Sequence, residues 1–236
     1  PQITMMPEQV SERQPLVSPK QFTVTNDYVQ LEVQFPLKVI SSAVHNAGMG
    51  WYNNFLNRSI APSYNIEDVK EETVQFLLER GFSLTNTVVM LTAVTANLVA
   101  IRSFHHERFS ITIAVTAGVG NAVDVTKTYE RQDTPYIGTI NTWVIVNGKL
   151  SDEAFYQAMI TATEAKTKAL AEEEIRDVQT NTIATGTATD SLLIAATQHG
   201  EEMPYAGPIT DVGKLIGHGV FETTVEAIRK YKQSKN

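Results

Sequence analysis

Residues 181–196, NTIATGTATDSLLIAA, set a carboxylate between a hydroxyl-rich loop and an apolar run. Thr185, Thr187 and Thr189 lead up to Asp190, and Leu192 to Ala196 follow it. An acid at the lip of an apolar strand is a candidate general base. Gly186 lets the backbone turn tightly and leaves amides to face an anion or an oxyanion. A second reading uses the same residues: a turn capped by hydroxyls, with Asp190 closing an Asx motif.

Upstream, TATEAKTKAL lies within a predicted helix. Helical spacing puts Thr161, Glu164 and Lys168 on one face, and Thr163, Lys166 and Thr167 on another. A Glu164–Lys168 ion pair on a solvated face is one reading. Threonine is a poor choice for an exposed helix, so the hydroxyls also suit a face turned inward.

Gly118 and Gly120 follow a strand in AVTAGVGNAVDV, which invites a dinucleotide-binding loop. The third glycine position holds Val123, and Pro135 comes too soon for a crossover helix. A tight turn with Asn121 lining a pocket suits these residues better. The five histidines, His45, His105, His106, His199 and His218, form no zinc-protease pattern. His45 follows VISSA at a strand end and enters an Asn/Gly-rich stretch, which makes it a candidate acid; His105 and His106 read as an exposed polar turn.

These groups need elements to hold them. Two or three strands are expected over FTVTNDYVQLEVQFPLKVISSA, with a turn at Asn26-Asp27 and Val29, Leu31, Val33 and Phe35 alternating with polar residues. HNAGMGWYNNFLNRSIAPSYN, residues 45–65, reads as a long loop. Asn65 is expected to cap a helix over 66–80 that Gly81 ends. Strands are expected to about Val94, in RFSITIAVTAG, in GTINTWVIVNG and in DSLLIAAT. Helices are expected over about 152–176, with Asp152 and Glu153 favoured in the first turn by the helix dipole, and over about 210–232. Mixed order without strict strand–helix–strand alternation predicts an α+β domain, with a mixed or antiparallel sheet, or two stacked sheets, and helices outside, a layered sandwich. Residues 1–20, with four prolines, read as a tail or linker, and 21–236 as one domain.

A net charge of −7 argues against nucleic acid and anionic lipid as partners. No apolar run is long enough to span a bilayer, and no signal peptide opens the chain. Cysteine is absent, which removes a thiol nucleophile, a disulfide framework and a cysteine zinc site, and suits a reducing, cytoplasmic compartment. The chain starts at Pro1, as a fragment or a processed product would.

The ordered set KVISSAVHNAG, VTAGVGNA, GTIN, TATEAKTKAL, TGTATD and YAGPITDVGKLIG resembles the adenosylcobinamide amidohydrolase (CbiZ) family of corrinoid salvage, over about residues 22–230. Pro208 and Ile209 stand where the family usually carries a threonine and a polar residue, whereas Thr210 and Gly213 are in place. The resemblance implies hydrolysis of the amide joining the aminopropanol arm to the corrin, giving adenosylcobyric acid and 1-amino-2-propanol. PQITMMP at the start resembles the carboxy-terminal end of ATPase subunits of cobalamin and siderophore importers, which implies fusion to, or association with, such an ATPase.

For amide hydrolysis, Asp190 or Glu164 is the expected base toward water, with Lys166 or His45 protonating the leaving nitrogen. Amides near Gly186, or near Gly118 and Gly120, would hold the oxyanion. In an alternative route Ser42 or Thr187 attacks and forms an ester. Asn46, Asn121, Thr139, Asn141 and Thr210 suit the rim of a wide cleft, and Trp51 and Tyr52 the face of the ring. The corrinoid enters as substrate, and no metal site or further cofactor is expected. A corrinoid-binding module or sensor without chemistry, and a metal-dependent hydrolase, are the rival readings; the sequence is silent on oligomeric state.

Overall fold

A computed structural model describes residues 16–61, 64, 67–132 and 138–236. The strands are β1 (Phe22–Val24), β2 (Tyr28–Ser41), β3 (Gly48–Ser59), β4 (Thr87–Thr92), β5 (Ala100–His105), β6 (Ser110–Ala117), β7 (Ala122–Val123), β8 (Ile140–Asn147), β9 (Lys149–Leu150), β10 (Gly186–Thr187), β11 (Ser191–Ala196) and β12 (Glu202–Met203). The helices are α1 (Val69–Arg80), α2 (Asp152–Glu172) and α3 (Asp211–Ser234).

The main sheet runs β4-β3-β2-β11-β8-β6-β5, with β1 paired to β2. It is mixed: β11 is parallel to β8 and β3 to β4, and the other pairs are antiparallel. This is the expected α+β class. One sheet, not two, makes the layers. Its helix-bearing face packs Ile113, Val144 and Ile194 against Phe155 and Ala158 of α2 and Ile216 and Val220 of α3. The other face gathers Leu31, Leu37, Phe55, Met90 and Trp143. There the sheet curls over itself. Phe55 of β3 meets the Trp143 ring of β8 edge-on, and the Trp143 indole N–H reaches the Met90 sulfur of β4, although neither β3 nor β4 adjoins β8. Val17 is buried in this second core.

Several expectations change. Most of the stretch expected to be a loop over 45–65 is β3. Its asparagines disfavour a strand by local propensity, yet Asn54 and Asn57 are buried and hydrogen-bonded to Gln30, Thr87, Thr116 and Asn141. Helix α1 starts later than expected, with Asp68 accepting from the Glu71 amide at 3.0 Å as its cap; Asn65 lies outside the described residues. Gly81 ends α1 in the left-handed conformation, φ 74°, as expected. The strand expected to Val94 stops at Thr92. Helix α2 stops at Glu172, because Glu174 takes φ 53° and the chain turns back to bridge Arg176 with Ile183.

Candidate active site

Asp190 is a hub. Its Oδ1 accepts the Ile140 amide at 3.0 Å and the Thr187 hydroxyl. Its Oδ2 accepts the Thr187 amide at 3.1 Å and the Lys166 Nζ at 2.8 Å. Lys166 and Asp190 are 15% and 20% exposed, so the pair is screened from bulk water but reachable. Gly186 makes the approach possible: a Cβ there would meet Asp190 Oδ2 at 2.3 Å and Lys166 Nζ at 2.7 Å. The turn reading holds: the carboxylate closes its own loop, and the same carboxylate pairs with the Lys166 ammonium.

Helix α2 supplies Lys166 because its threonines tie it down. Thr161 is buried and donates to the Ala206 carbonyl at 2.9 Å, and Thr167 donates to the Thr185 carbonyl at 2.9 Å. Thr163 bonds its own helix at Met159. The Glu164–Lys168 pair does not form among the described ion pairs; Glu164 stands exposed instead.

Two cavities meet at Asp190. The larger, about 470 Å³, lies between α2 and the ends of β2, β8 and β11, and includes Ser42, Thr142, Met159, Glu164, Lys166 and Leu192 in its lining. The smaller, about 190 Å³, is bounded by Val44, Ile60, Val69, Leu91, Thr139 and Asn141, among others. Ser42, Asp190 and Ser191 line both. Ser42 Oγ and Ser191 Oγ are 3.0 Å apart, and Ser191 also reaches the Ser42 carbonyl at 3.1 Å. With that proton used, the Ser42 hydroxyl donates to Ser191 Oγ while accepting the Leu192 amide at 3.1 Å. Ser191 and Thr142 escaped the sequence reading. Ser191 is next to Asp190, but only the β2–β11 pairing brings it against Ser42.

Other candidates lie elsewhere. The His45 ring nitrogen bonds the Leu84 carbonyl at 2.8 Å, and Asn46, at φ 55°, donates to the Leu84 and Thr87 carbonyls. Both brace the turn before β4 and line neither cavity. The Gly118 amide donates to the Thr139 carbonyl, Gly120 sits beside the Tyr231 hydroxyl, and Asn121 lies under Gly138; none of the three lines either cavity. Their amides are not an oxyanion site in these cavities. The Thr187 hydroxyl is given to Asp190, and Thr187 lines a separate hollow with Val123, Val125 and Arg131. Thr210 caps α3 by accepting the Gly213 amide, beside a fourth hollow. Trp51 and Tyr52 cannot face one ring together, because neighbours on a strand point to opposite sides. Trp51 stands opposite Lys38, which reaches Asp152 and the Phe155 ring of α2, so it is on the helix-bearing face and 54% exposed. Tyr52 packs on the second core. Thr139 and Asn141 do line the smaller cavity, and Thr139 donates to the Thr189 carbonyl at 2.7 Å.

A family model described as adenosylcobinamide amidohydrolase, CbiZ, matches residues 14–236. The chain belongs to the CbiZ family. The adenosylcobinamide amidohydrolase of Methanosarcina mazei is 31% identical over 175 residues, covering 72% of this chain and 78% of its own. An uncharacterized protein of Methanocaldococcus jannaschii is 29% identical over 188 residues, covering 72% and 73%. An uncharacterized ABC transporter ATP-binding protein of Bacillus subtilis is 24% identical over 199 residues; the match covers 84% of this CbiZ-family chain but 37% of that protein. No helix among the described residues is long and apolar enough to cross a membrane, and no three His, Asp or Glu side chains among them gather as a metal site would need.

Proposed function

We propose that this chain hydrolyses the amide between the corrin and the aminopropanol arm of adenosylcobinamide, giving adenosylcobyric acid and 1-amino-2-propanol. The observation that carries the reading is the Lys166–Asp190 pair at the junction of two cavities in a chain of this family. All four acceptor positions of Asp190 are engaged, so its role is to hold Lys166. One Lys166 N–H goes to Asp190, which leaves two for the substrate carbonyl, where negative charge develops. Glu164, on the rim of the larger cavity, takes a proton from the attacking water. The water oxygen bonds to the carbonyl carbon, the C–N bond breaks, and the proton passes to the departing nitrogen. In a second route the Ser42 hydroxyl attacks the carbonyl carbon, the C–N bond breaks as the hydroxyl proton passes to the departing nitrogen, and water then hydrolyses the ester; the exposed Ser42 hydroxyl beside Ser191 supports it. Met49 and Trp51, exposed on the helix-bearing face, and Ile160, exposed on α2, suit the apolar body of the corrin.

Mass spectrometry of adenosylcobinamide after incubation with the chain tests this. Release of 1-amino-2-propanol is expected, with Glu164→Gln slowing turnover more than Ser42→Ala. Tight binding with the amide intact would instead establish the binding-module reading. Turnover unchanged by exhaustive chelation is expected; its loss would move the chemistry to a bound metal. We further propose that the chain works beside, or fused to, an ABC-transporter ATPase on the cytoplasmic side; the name of the Bacillus relative, an ABC transporter ATP-binding protein, supports the ATPase association. Coexpression with such an ATPase followed by affinity purification tests that association.

A further inference from the structure

We propose that the smaller cavity is the seat of the departing amino alcohol and reads its hydroxyl through Asn141. This rests on the amidohydrolase reading above. Ser42, Asp190 and Ser191 belong to both cavities, so an amide held by Lys166 lies across the waist between them. The two halves of the substrate then occupy opposite sides. A corrin is far too large for about 190 Å³, whereas a three-carbon amino alcohol fits.

The lining matches that arm chemically. Val44, Ile60, Val69 and Leu91 give an apolar wall for a methyl group. Asn141 is 1% exposed, and its Nδ2 donates to Asn57 Oδ1 at 2.8 Å and to the Leu91 carbonyl at 2.9 Å. Those two bonds orient the amide and leave its Oδ1 buried with no hydrogen-bond donor among the described residues. Such an acceptor is costly to leave unmet, and an alcohol O–H satisfies it. A hydroxyl-reading site rejects the analogue that lacks the hydroxyl, because the protein group is stranded again.

The experiment uses three secondary amides of adenosylcobyric acid, made with 1-amino-2-propanol, propylamine and methylamine. The unmodified chain is expected to prefer the hydroxypropyl amide over the propyl amide by at least tenfold in kcat/KM. Asn141→Ala should bring that ratio near one. Val69→Phe, which narrows the cavity without touching the Asn141 hydrogen bonds, should lower the ratio of hydroxypropyl to methyl amide turnover at least fivefold. Equal cleavage of hydroxypropyl and propyl amides by the unmodified chain overturns the subsite and leaves the hydrolase reading standing. Cleavage of none of the three overturns the hydrolase reading, and this inference with it.

Discussion

At the scale of single residues, the site depends on one absent side chain. Gly186 leaves room for Asp190 and Lys166 to meet, and the carboxylate cannot swing aside because four donors hold it. Gly186→Ala is therefore expected to cut turnover about tenfold or more while the chain stays folded, read as kcat with circular dichroism as the check. Lys166→Met removes the donor proposed for the developing oxyanion, and a loss of about a hundredfold in kcat is expected. Near-native turnover in both variants would detach the chemistry from this pair.

At the scale of elements, the segment between α2 and β11 must hold Asp190 in register, and buried acids do this. Asp177 is fully buried and accepts from the Asp124, Gln179 and Thr180 amides and from Arg131 at 2.7 Å. Burial pushes its carboxyl up, but these donors overrule burial and hold it below the usual range. Asp124 is likewise held low, by the Thr182 and Thr126 hydroxyls and the Thr126 amide. Both folded values lie below the unfolded ones. Their stabilisation is thus complete above the ordinary carboxylate value, about pH 4, and is lost as pH falls through the lower folded values. Thermal unfolding should show a steep acid loss below about pH 4 that flattens in Asp177→Asn. Asp177→Ala at neutral pH should cost about 3 kcal/mol in urea unfolding, because the Asp124, Gln179 and Thr180 amides lose their acceptor and Arg131 loses one ionic contact.

At the scale of the whole molecule, the curled sheet decides what meets what. Asn57 of β3 donates to the Thr116 hydroxyl of β6 and accepts from Asn141 of β8, so a buried polar chain joins strands that are not neighbours in the sheet. Asn57→Ala leaves a buried hydroxyl and amide short of partners. A loss of about 2 kcal/mol is expected in urea unfolding. It should also blunt the hydroxypropyl preference, since Asn141 loses half of what orients it. A variant as stable as the parent would show that the apolar core alone sets the curl.

Local chemistry settled much of this protein in advance. The alternation from Val29 to Phe35, the threonine-studded helix around Lys166, the αL stop at Gly81 and the apolar run after Asp190 are short-range signals, and each marks an element that forms. Asp190, Lys166, Ser42 and Glu164 were legible as candidates from their types and spacing, and they line one cavity. Their meeting was not legible, since it depends on β2 pairing with β11 across about 150 positions of chain. Nor was the strand character of Gly48–Ser59, because its asparagines are made strand residues by distant hydrogen-bond partners. His45 and Thr187 read as candidate acid and nucleophile and Gly118 as a candidate oxyanion amide, and tertiary packing assigns their hydrogen bonds to the scaffold. Sequence fixes which groups a chain owns and which periodicities it prefers; burial and long-range pairing decide which of those groups share a cavity.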